Sequence, residues 1–143
     1  MPFLYQSFGF LAAKASEKLL ELLQPRLDEE HITVRQMGIL ILVEEQPGIT
    51  QKQIGIVQQI DRTTVTQQID VLEQAKLVKR MQSADDRRSY CLHVTKEGQS
   101  MAARLRTYIH STEKCFFKNL TAVQIADLKK LLLILVDSGE MRK

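Results

Sequence analysis

The segment TQKQIGIVQQIDRTTVTQQIDVLEQAKLVKR, residues 50–80, decides the fold. Thr50, with a glutamine three residues later, forms the capping-box pattern that opens a short helix, which we predict over residues 51–58. Asp61 is a typical N-cap for a second helix, whose apolar positions repeat at helical spacing. Two short helices joined by a tight turn predict a helix-turn-helix. The apolar stripe of the second helix consists of Val65, Ile69 and Leu72.

The opposite face of this second helix carries side chains that suit the major groove of DNA. Arginine can pair with guanine, glutamine can pair with adenine, and a threonine methyl group can contact the thymine methyl group. A merely solvated face is the alternative, and such a face would more often carry Glu and Lys. Arg62, Thr63, Thr66 and Gln67 are therefore the candidates for DNA contacts, and the family resemblance described below is the main reason to expect such contacts.

After Leu77 the hydrophobic period changes from helical to alternating. Tyr90, Leu92 and Val94 alternate with more polar neighbours, which is typical of a half-buried β-strand. Residues 77–82 are the predicted partner strand, and the polar stretch between the two strands is the predicted hairpin tip. The sequence therefore predicts a small β-hairpin directly after the helix-turn-helix.

A stripe of apolar residues within positions 4–22 predicts an amphipathic first helix. We expect this helix to end near Gln24, because Pro25 disfavours helical geometry in the residue before it. The terminal helices of the chain carry more apolar surface than one small protomer can cover. We therefore expect them to pack against a second copy of the chain.

Capping threonines predict three further helices. Thr33 opens a second helix with a capping box, although the apolar run 37–43 alone would also suit a buried strand. Thr95 opens a long fifth helix, and Thr121 opens a last helix over residues 122–137. The apolar run 131–136 has no polar face, which indicates that several sides of this last helix are buried, as in a dimer.

The middle third of the chain carries its whole net charge of +3. Residues 50–96 contain eight basic and five acidic side chains, whereas the remaining residues balance. Such a mild local excess is compatible with a nucleic-acid partner without proving one.

Other classes of protein find little support in the sequence. HExxH, GxSxG and glycine-rich phosphate loops are absent, so we expect no catalytic residues, and we also expect no metal and no cofactor. The N terminus lacks a signal-peptide pattern, and the longest apolar run is too short to span a bilayer. Two cysteines far apart in sequence predict neither a disulfide framework nor a zinc site, so we expect a cytoplasmic protein without a membrane partner.

Taken in order, these segments resemble the MarR family of bacterial transcription factors along essentially the whole chain. Residues 72–80, LEQAKLVKR, resemble the ending of the family's recognition helix. Residues 86–95 resemble its wing, residues 32–40 the opening of its second helix, and residues 49–55 the helix before the recognition helix. Two residues depart from the pattern: Lys76 replaces a glycine, at a cost of roughly 1 kcal/mol, and Gly55 replaces an alanine.

The resemblance implies roles for the hairpin. Arg88 is similar to the family arginine that enters the minor groove, and Asp86 to the acid that holds an arginine in place. Arg87 shares this tip, although an ordinary charged hairpin tip is the alternative. Lys52 and Arg80 suit phosphate contacts and surface charge equally well, and Arg80 suits a structural pair with an aspartate equally well.

Family members bind small aromatic or phenolic ligands between the dimer helices and the DNA-binding lobe. Phe8 and Phe116 are our candidates for such an effector pocket, and a plain dimer core is the alternative. Cys91 and Cys115 leave a thiol-based redox-sensing regulator as an alternative function. However, peroxide-sensing relatives carry their reactive cysteine near the first helix, where this chain has none.

We therefore predict a mainly α winged helix-turn-helix with a small β-hairpin wing, flanked by terminal dimerisation helices. We assign residues 1–32 to an N-terminal dimerisation helix and linker, 33–95 to DNA binding, and 96–143 to C-terminal dimerisation helices. The predicted function is sequence-specific regulation of transcription by a homodimer on a pseudo-palindromic operator of double-stranded DNA. We expect a repressor that a small molecule releases. A winged-helix module that binds proteins without binding DNA is a further alternative.

Overall fold

The structure, a computed structural model, describes residues 1–137. In chain order it consists of helices α1 (Phe8–Glu29) and α2 (Val34–Glu45), strand β1 (Ile49–Thr50), helices α3 (Gln51–Gln58) and α4 (Arg62–Gln74), strands β2 (Val78–Gln82) and β3 (Tyr90–Val94), and helices α5 (Lys96–Phe116) and α6 (Ala122–Val136). A 3-10 turn at Phe3–Gln6 precedes α1. This order confirms the predicted mainly α fold, in which a helix-turn-helix and a β-hairpin wing lie between terminal helices.

Side-chain caps fix where most of the helices begin. Thr33, Thr50 and Thr121 each accept a hydrogen bond from the amide of a glutamine three residues later, and the glutamine side chain bonds back. Asp61 caps α4 and Thr95 caps α5 through their side-chain oxygens. Each cap satisfies an amide that the first turn of a helix leaves without a partner. The predicted helix starts are thereby confirmed.

The prediction that α1 ends near Gln24 is wrong, because α1 continues through Pro25 to Glu29. The residues on either side of the proline explain the difference, since Leu23 is 5% exposed and Leu27 is 0% exposed in the core. Burial of each leucine contributes about 1.5–3 kcal/mol, which offsets the roughly 3 kcal/mol cost of an internal proline.

Strand β3 is the centre of a three-stranded antiparallel sheet of order β1-β3-β2. The sequence analysis did not predict β1, which adds Ile49 opposite Leu92. The β2–β3 register sets Arg80 opposite Leu92, and Met81 opposite Cys91. Because side chains alternate along a strand, Arg80 and Leu92 share the core-facing side, whereas Met81 and Cys91 share the outer side.

One contiguous core runs from α1 to α5. Its members come from both sides of the expected boundaries at residues 32 and 95, so the division into three regions stays a proposal about their roles. Residues 138–143 of the third region lie outside the described residues. The largest fully buried side chains are Leu27, Ile39, Leu40, Val43, Ile54, Val65, Ile69, Leu72, Val78, Leu92 and Leu105.

A glycine in the first turn of α5 allows this helix to approach the backbone that precedes β2. A Cβ atom at Gly98 would lie 2.1 Å from the carbonyl oxygen of Leu77. Next to it, the Thr95 hydroxyl lies 2.7 Å from the Lys76 carbonyl oxygen and accepts the Gly98 amide at 3.0 Å. The first turn of α5 therefore rests directly on the backbone that leads into β2, which fixes the wing relative to the long helix.

Helix α6 contributes no buried residue to this core. Among its apolar side chains, Leu131, Ile134 and Leu135 are 59%, 65% and 67% exposed. The N-terminal turn adds further exposed apolar side chains, Phe3 and Leu4 among them. Within residues 1–137, no helix has the length and apolar character needed to cross a membrane. The apolar surface of a single protomer is thus concentrated on its terminal elements.

Candidate nucleic-acid interface

The interface is built around the start of α4. The Asp61 carboxylate accepts hydrogen bonds from the Thr64 hydroxyl at 2.5 Å and from the Thr64 amide at 3.0 Å. These bonds lower the pKa of the Asp61 carboxyl below its usual value, with the hydroxyl bond as the largest cause. The cap fixes the first turn of α4, so that Arg62 and Thr63 protrude from it as exposed side chains.

Gln67 and Thr66, two of the predicted base-contacting residues, differ in the hydrogen bonds that their side chains form within the protein. Gln67 is exposed and forms no side-chain hydrogen bond within the described chain. Thr66 is half-buried, its hydroxyl donates to the Arg62 carbonyl oxygen at 3.0 Å, and it accepts from Gln51 Nε2 at 3.1 Å. Since the hydroxyl hydrogen of Thr66 is engaged, its methyl group is the part available to a thymine methyl group.

Arg80 ties the wing to both helices of the helix-turn-helix. Its side chain is 16% exposed and lies 2.6 Å from the Asp70 carboxylate and 3.0 Å from the Glu73 carboxylate. Its Nε also donates to Gln51 Oε1 at 3.1 Å, and its guanidinium donates to the Thr66 carbonyl oxygen at 3.3 Å. With its donors occupied in this way, Arg80 holds β2 against α3 and α4.

Hydrogen bonds to the backbone stabilise the wing tip and leave the guanidinium groups of Arg87 and Arg88 unpaired within the described residues. Asp86 accepts from the Arg88 amide at 2.9 Å and from the Ser89 hydroxyl at 3.1 Å. Gln82 Nε2 donates to the Arg87 carbonyl oxygen at 2.9 Å. Asp86 therefore holds Arg88 by its backbone, and both guanidinium groups of the tip remain exposed.

A cavity of about 840 Å³ opens between α4 and the wing. The structure brings six of the predicted residues together around it: Lys52, Arg62, Thr66, Arg80, Asp86 and Arg88. Thr63, Gln67 and Arg87 do not line it, although all three are exposed nearby in sequence. A cleft bordered by cations from three separate elements suits a polyanion.

Among the described residues, Lys52, Arg62 and the two arginines of the wing tip lack the ion pairs that Arg80 and the arginines of α1 and α5 form. Arg26, Arg104 and Arg106 each form an ion pair with a glutamate. Within residues 1–137, no carboxylate lies within ion-pair distance of Lys52, Arg62, Arg87 or Arg88. These charges are therefore available to an external anion such as DNA phosphate.

Seven further residues line the cavity that the sequence did not assign to the site: Thr50, Gln51, Gly55, Ile56, Ile60, Ser89 and Tyr90. We expected Tyr90 to be half-buried with Leu92, but it is 53% exposed because it lies at the tip end of β3, beyond the core. The position of Tyr90 in the sequence could have indicated this exposure. Tyr90 comes directly after the charged hairpin tip, and a strand residue at that position borders the cavity together with the tip. The polar contacts of Gln51 needed the tertiary structure.

Residues proposed for other roles lie elsewhere. Phe8 on α1 is 62% exposed, Phe116 stacks edge-on against Phe117, and neither lines the 840 Å³ cavity. Cys115 is exposed, and Cys91 is half-buried with its Sγ 3.9 Å from His93 Nε2. Among residues 1–137, no three His, Cys, Asp or Glu side chains are grouped so that they could hold a metal.

Comparisons with known proteins agree with this geometry. The model of the MarR family matches residues 32–90. An organic hydroperoxide resistance transcriptional regulator of Bacillus subtilis is 32% identical over 89 residues, which cover 62% of this chain. The chain spans only 60% of that relative's length.

Two solved DNA complexes are similar in structure. A mutant form of MarR from E. coli, complexed with operator DNA, has a TM-score of 0.81 and 25% identity, covering 90% of this chain and 92% of its own. The transcriptional repressor CouR from Rhodococcus jostii RHA1, bound to a 23-mer DNA duplex, has a TM-score of 0.86 and 25% identity, covering 92% and 94%.

Proposed function

We propose that the chain is a member of the MarR family and a sequence-specific DNA-binding regulator of transcription, because the model of that family matches residues 32–90 and the repressor CouR shares its fold. The observation that carries this proposal is the cleft between α4 and the wing, whose bordering cations Lys52, Arg62 and Arg88 have no carboxylate partner within the described residues. In this proposal α4 lies in the major groove, and Arg88 at the wing tip enters the adjacent minor groove.

Within α4 we assign base contacts to Arg62, Thr63, Thr66 and Gln67. The side chain of Gln67 is exposed and unengaged, which suits paired hydrogen bonds to adenine. We assign Arg87 and Lys52 to the DNA phosphates, which set register without carrying sequence information. Arg80 and Asp86 act indirectly, by positioning the wing.

The working unit is a homodimer. The exposed apolar side chains of α6 and of the N-terminal turn support this assembly, since a lone protomer would leave them in water. Two recognition helices related by a twofold axis require a pseudo-palindromic operator with half-site centres about 10 base pairs apart. Occupying such an operator represses transcription, as the name of CouR states for that relative.

Release by a small aromatic ligand is part of the proposal. The ligand would bind near Phe8 and Phe116, between the dimerisation helices and the DNA-binding region, and would favour a different spacing of the two lobes. The ligand can weaken DNA binding only as far as it binds one spacing of the lobes more tightly than the other. Such a coupling free energy is typically about 1–3 kcal/mol. No catalytic step is needed, so the protein acts without enzymatic activity.

The test is fluorescence anisotropy with the full chain and a labelled duplex from the region upstream of its own gene. We expect Arg88→Ala to weaken binding, and to reduce the slope of log affinity against log salt by about 1. Arg26→Ala is the matched control, because Arg26 lies on α1 in an exposed pair with Glu29. If Arg88→Ala and Gln67→Ala both bind as the parent does, the assignment of wing and helix is wrong.

The effector is tested on the same complex. Salicylate-like compounds should release the DNA, whereas peroxide should not. Both treatments are repeated with a Cys91→Ser, Cys115→Ser double variant. Release by peroxide that disappears in the double variant would replace the ligand mechanism with a thiol switch.

A further inference from the structure

The outer face of the wing sheet carries a thiol, an imidazole and a thioether, none of which we assign to a DNA contact. Cys91 and His93 are two residues apart on β3 and therefore point to the same side. The Cys91 Sγ and His93 Nε2 atoms lie 3.9 Å apart. Met81 lies directly opposite Cys91 across the β2–β3 ladder, which places its side chain on this same side.

We propose that Cys91, His93 and Met81 form a binding site for a soft monovalent metal ion, with Cu(I) as the chemical class. Thiolate and thioether sulfurs select Cu(I), and imidazole also suits copper. Metal–sulfur and metal–nitrogen bonds of about 2.3 Å and 2.0 Å span 3.9 Å when the angle at the metal is open, as in a low-coordinate site. The observed Sγ–Nε2 separation thus needs little adjustment.

The access and spacing of the donors support this assignment. Both Cys91 and His93 are half-buried, and Met81 is 51% exposed, so an ion can reach the donors from solvent. Opposite residues of an antiparallel pair have Cβ atoms about 4.5–5.5 Å apart, which is within reach of a flexible methionine. No other side-chain hydrogen bond engages Cys91 or His93 within the described residues.

Charge favours a monovalent ion over a divalent one. Lys79 lies opposite His93 on the same face and brings a positive charge to the site. When Cu(I) binds, the Cys91 thiol gives its proton to solvent and the thiolate–metal unit is neutral. A divalent ion with the same ligands would leave a net positive charge beside Lys79.

The sequence alone does not reveal this site. Cys91 and His93 are two residues apart on β3, but two donors are too few to indicate a metal site. Which of the other side chains shares their face depends on the β2–β3 register, and the pairing of Met81 with Cys91 became visible only in the sheet.

The experiment titrates Cu(I) into the full chain under reducing, anaerobic conditions, in competition with bicinchoninate. A Cys115→Ser background removes the second, exposed thiol. We expect one Cu(I) per protomer, lost in Cys91→Ser and in His93→Gln. Met81→Leu should bind about tenfold more weakly, because it removes the neutral thioether ligand and leaves the thiolate and the imidazole in place. His110→Gln, an exposed histidine on α5, is the matched control and should bind as the parent does.

X-ray absorption at the copper edge gives an independent measurement, with sulfur and nitrogen both expected in the first shell. Cu(I) binding could instead depend on Cys91 and stay unchanged in both His93→Gln and Met81→Leu. That result would mean that a single reactive thiol binds the ion, and it would overturn the proposal. Equal thermal unfolding of the parent and variants without copper shows that any loss does not come from misfolding. The result is independent of whether the chain binds DNA.

Discussion

The Arg80 guanidinium on β2 lies 2.6 Å from the Asp70 carboxylate on α4, which places a salt bridge between the wing and the second helix of the helix-turn-helix. Glu73, one turn further along α4, takes a second position on the same guanidinium at 3.0 Å. A planar, forked cation can hold two carboxylates and a carbonyl oxygen at once, whereas a lysine ammonium is a point charge on a flexible stem. The Arg80 guanidinium therefore fixes the wing against α4.

The first prediction concerns variants that remove the Arg80 guanidinium. Arg80→Ala should lower the free energy of unfolding by about 2 kcal/mol, because hydrogen bonds between charged groups are lost. Arg80→Lys should recover part of that stability but less of the DNA affinity, since it keeps the charge without the geometry. Urea unfolding and DNA anisotropy measure the two effects, and a lysine variant that binds DNA as the parent does would refute the positioning role.

The second prediction concerns the contact between α5 and the wing. Gly98→Ala should destabilise the protein by at least about 2 kcal/mol, because the new Cβ would lie 2.1 Å from the Leu77 carbonyl oxygen. Gly9→Ala is the control, since a Cβ there would meet only the Ser7 hydroxyl at 3.9 Å. Gly9→Ala should be neutral or stabilising by up to about 1 kcal/mol. Similar urea midpoints for the two variants would contradict the close approach.

The third prediction concerns Lys76, which has a φ of 61°. This left-handed conformation costs a residue with a side chain roughly 1–2 kcal/mol, and glycine avoids that cost. Lys76→Gly should therefore raise the free energy of unfolding by about 1 kcal/mol, whereas Lys76→Ala should not. Equal stability of the glycine and alanine variants would show that the turn is not strained.

The sequence predicts those parts of the fold and the site that depend on contacts between residues close together in the chain. The pairs Thr50–Gln53 and Asp61–Thr64 act within one helical turn, so the sequence alone located the starts of α3 and α4. The four contacts of Arg80 come from residues up to 29 positions away, so only a partnership with an aspartate could be suggested. Helix α1 continues through Pro25 because the burial of Leu27, a tertiary effect, outweighs the local preference of proline.

The fourth prediction is a pH dependence at the cap of α4. The folded-state pKa of Asp61 is lowered from an ordinary value of 3.8. Its ionised form therefore contributes stability that is fully present above the ordinary pKa and is lost as pH falls through the lower folded pKa. Asp61→Asn keeps a capping oxygen but does not titrate.

Urea unfolding between neutral and acidic pH compares the parent with Asp61→Asn. The stability advantage of the parent should be constant above pH 5 or so and should shrink as the pH falls below the ordinary aspartate pKa. A difference between the two proteins that stays the same down to the acid limit would mean that the Thr64 hydrogen bonds do not favour the ionised carboxylate.

The central claim is that α4 and the wing read a palindromic DNA sequence together, and selection from random duplexes tests it most directly. The full chain is incubated with a random library at moderate salt with competitor DNA, and bound duplexes are sequenced after several rounds. We predict enrichment of an inverted repeat with half-site centres about 10 base pairs apart and A·T-rich flanks where Arg88 enters the minor groove. Recovery of unenriched sequences, bound no more tightly than competitor DNA, would contradict the account.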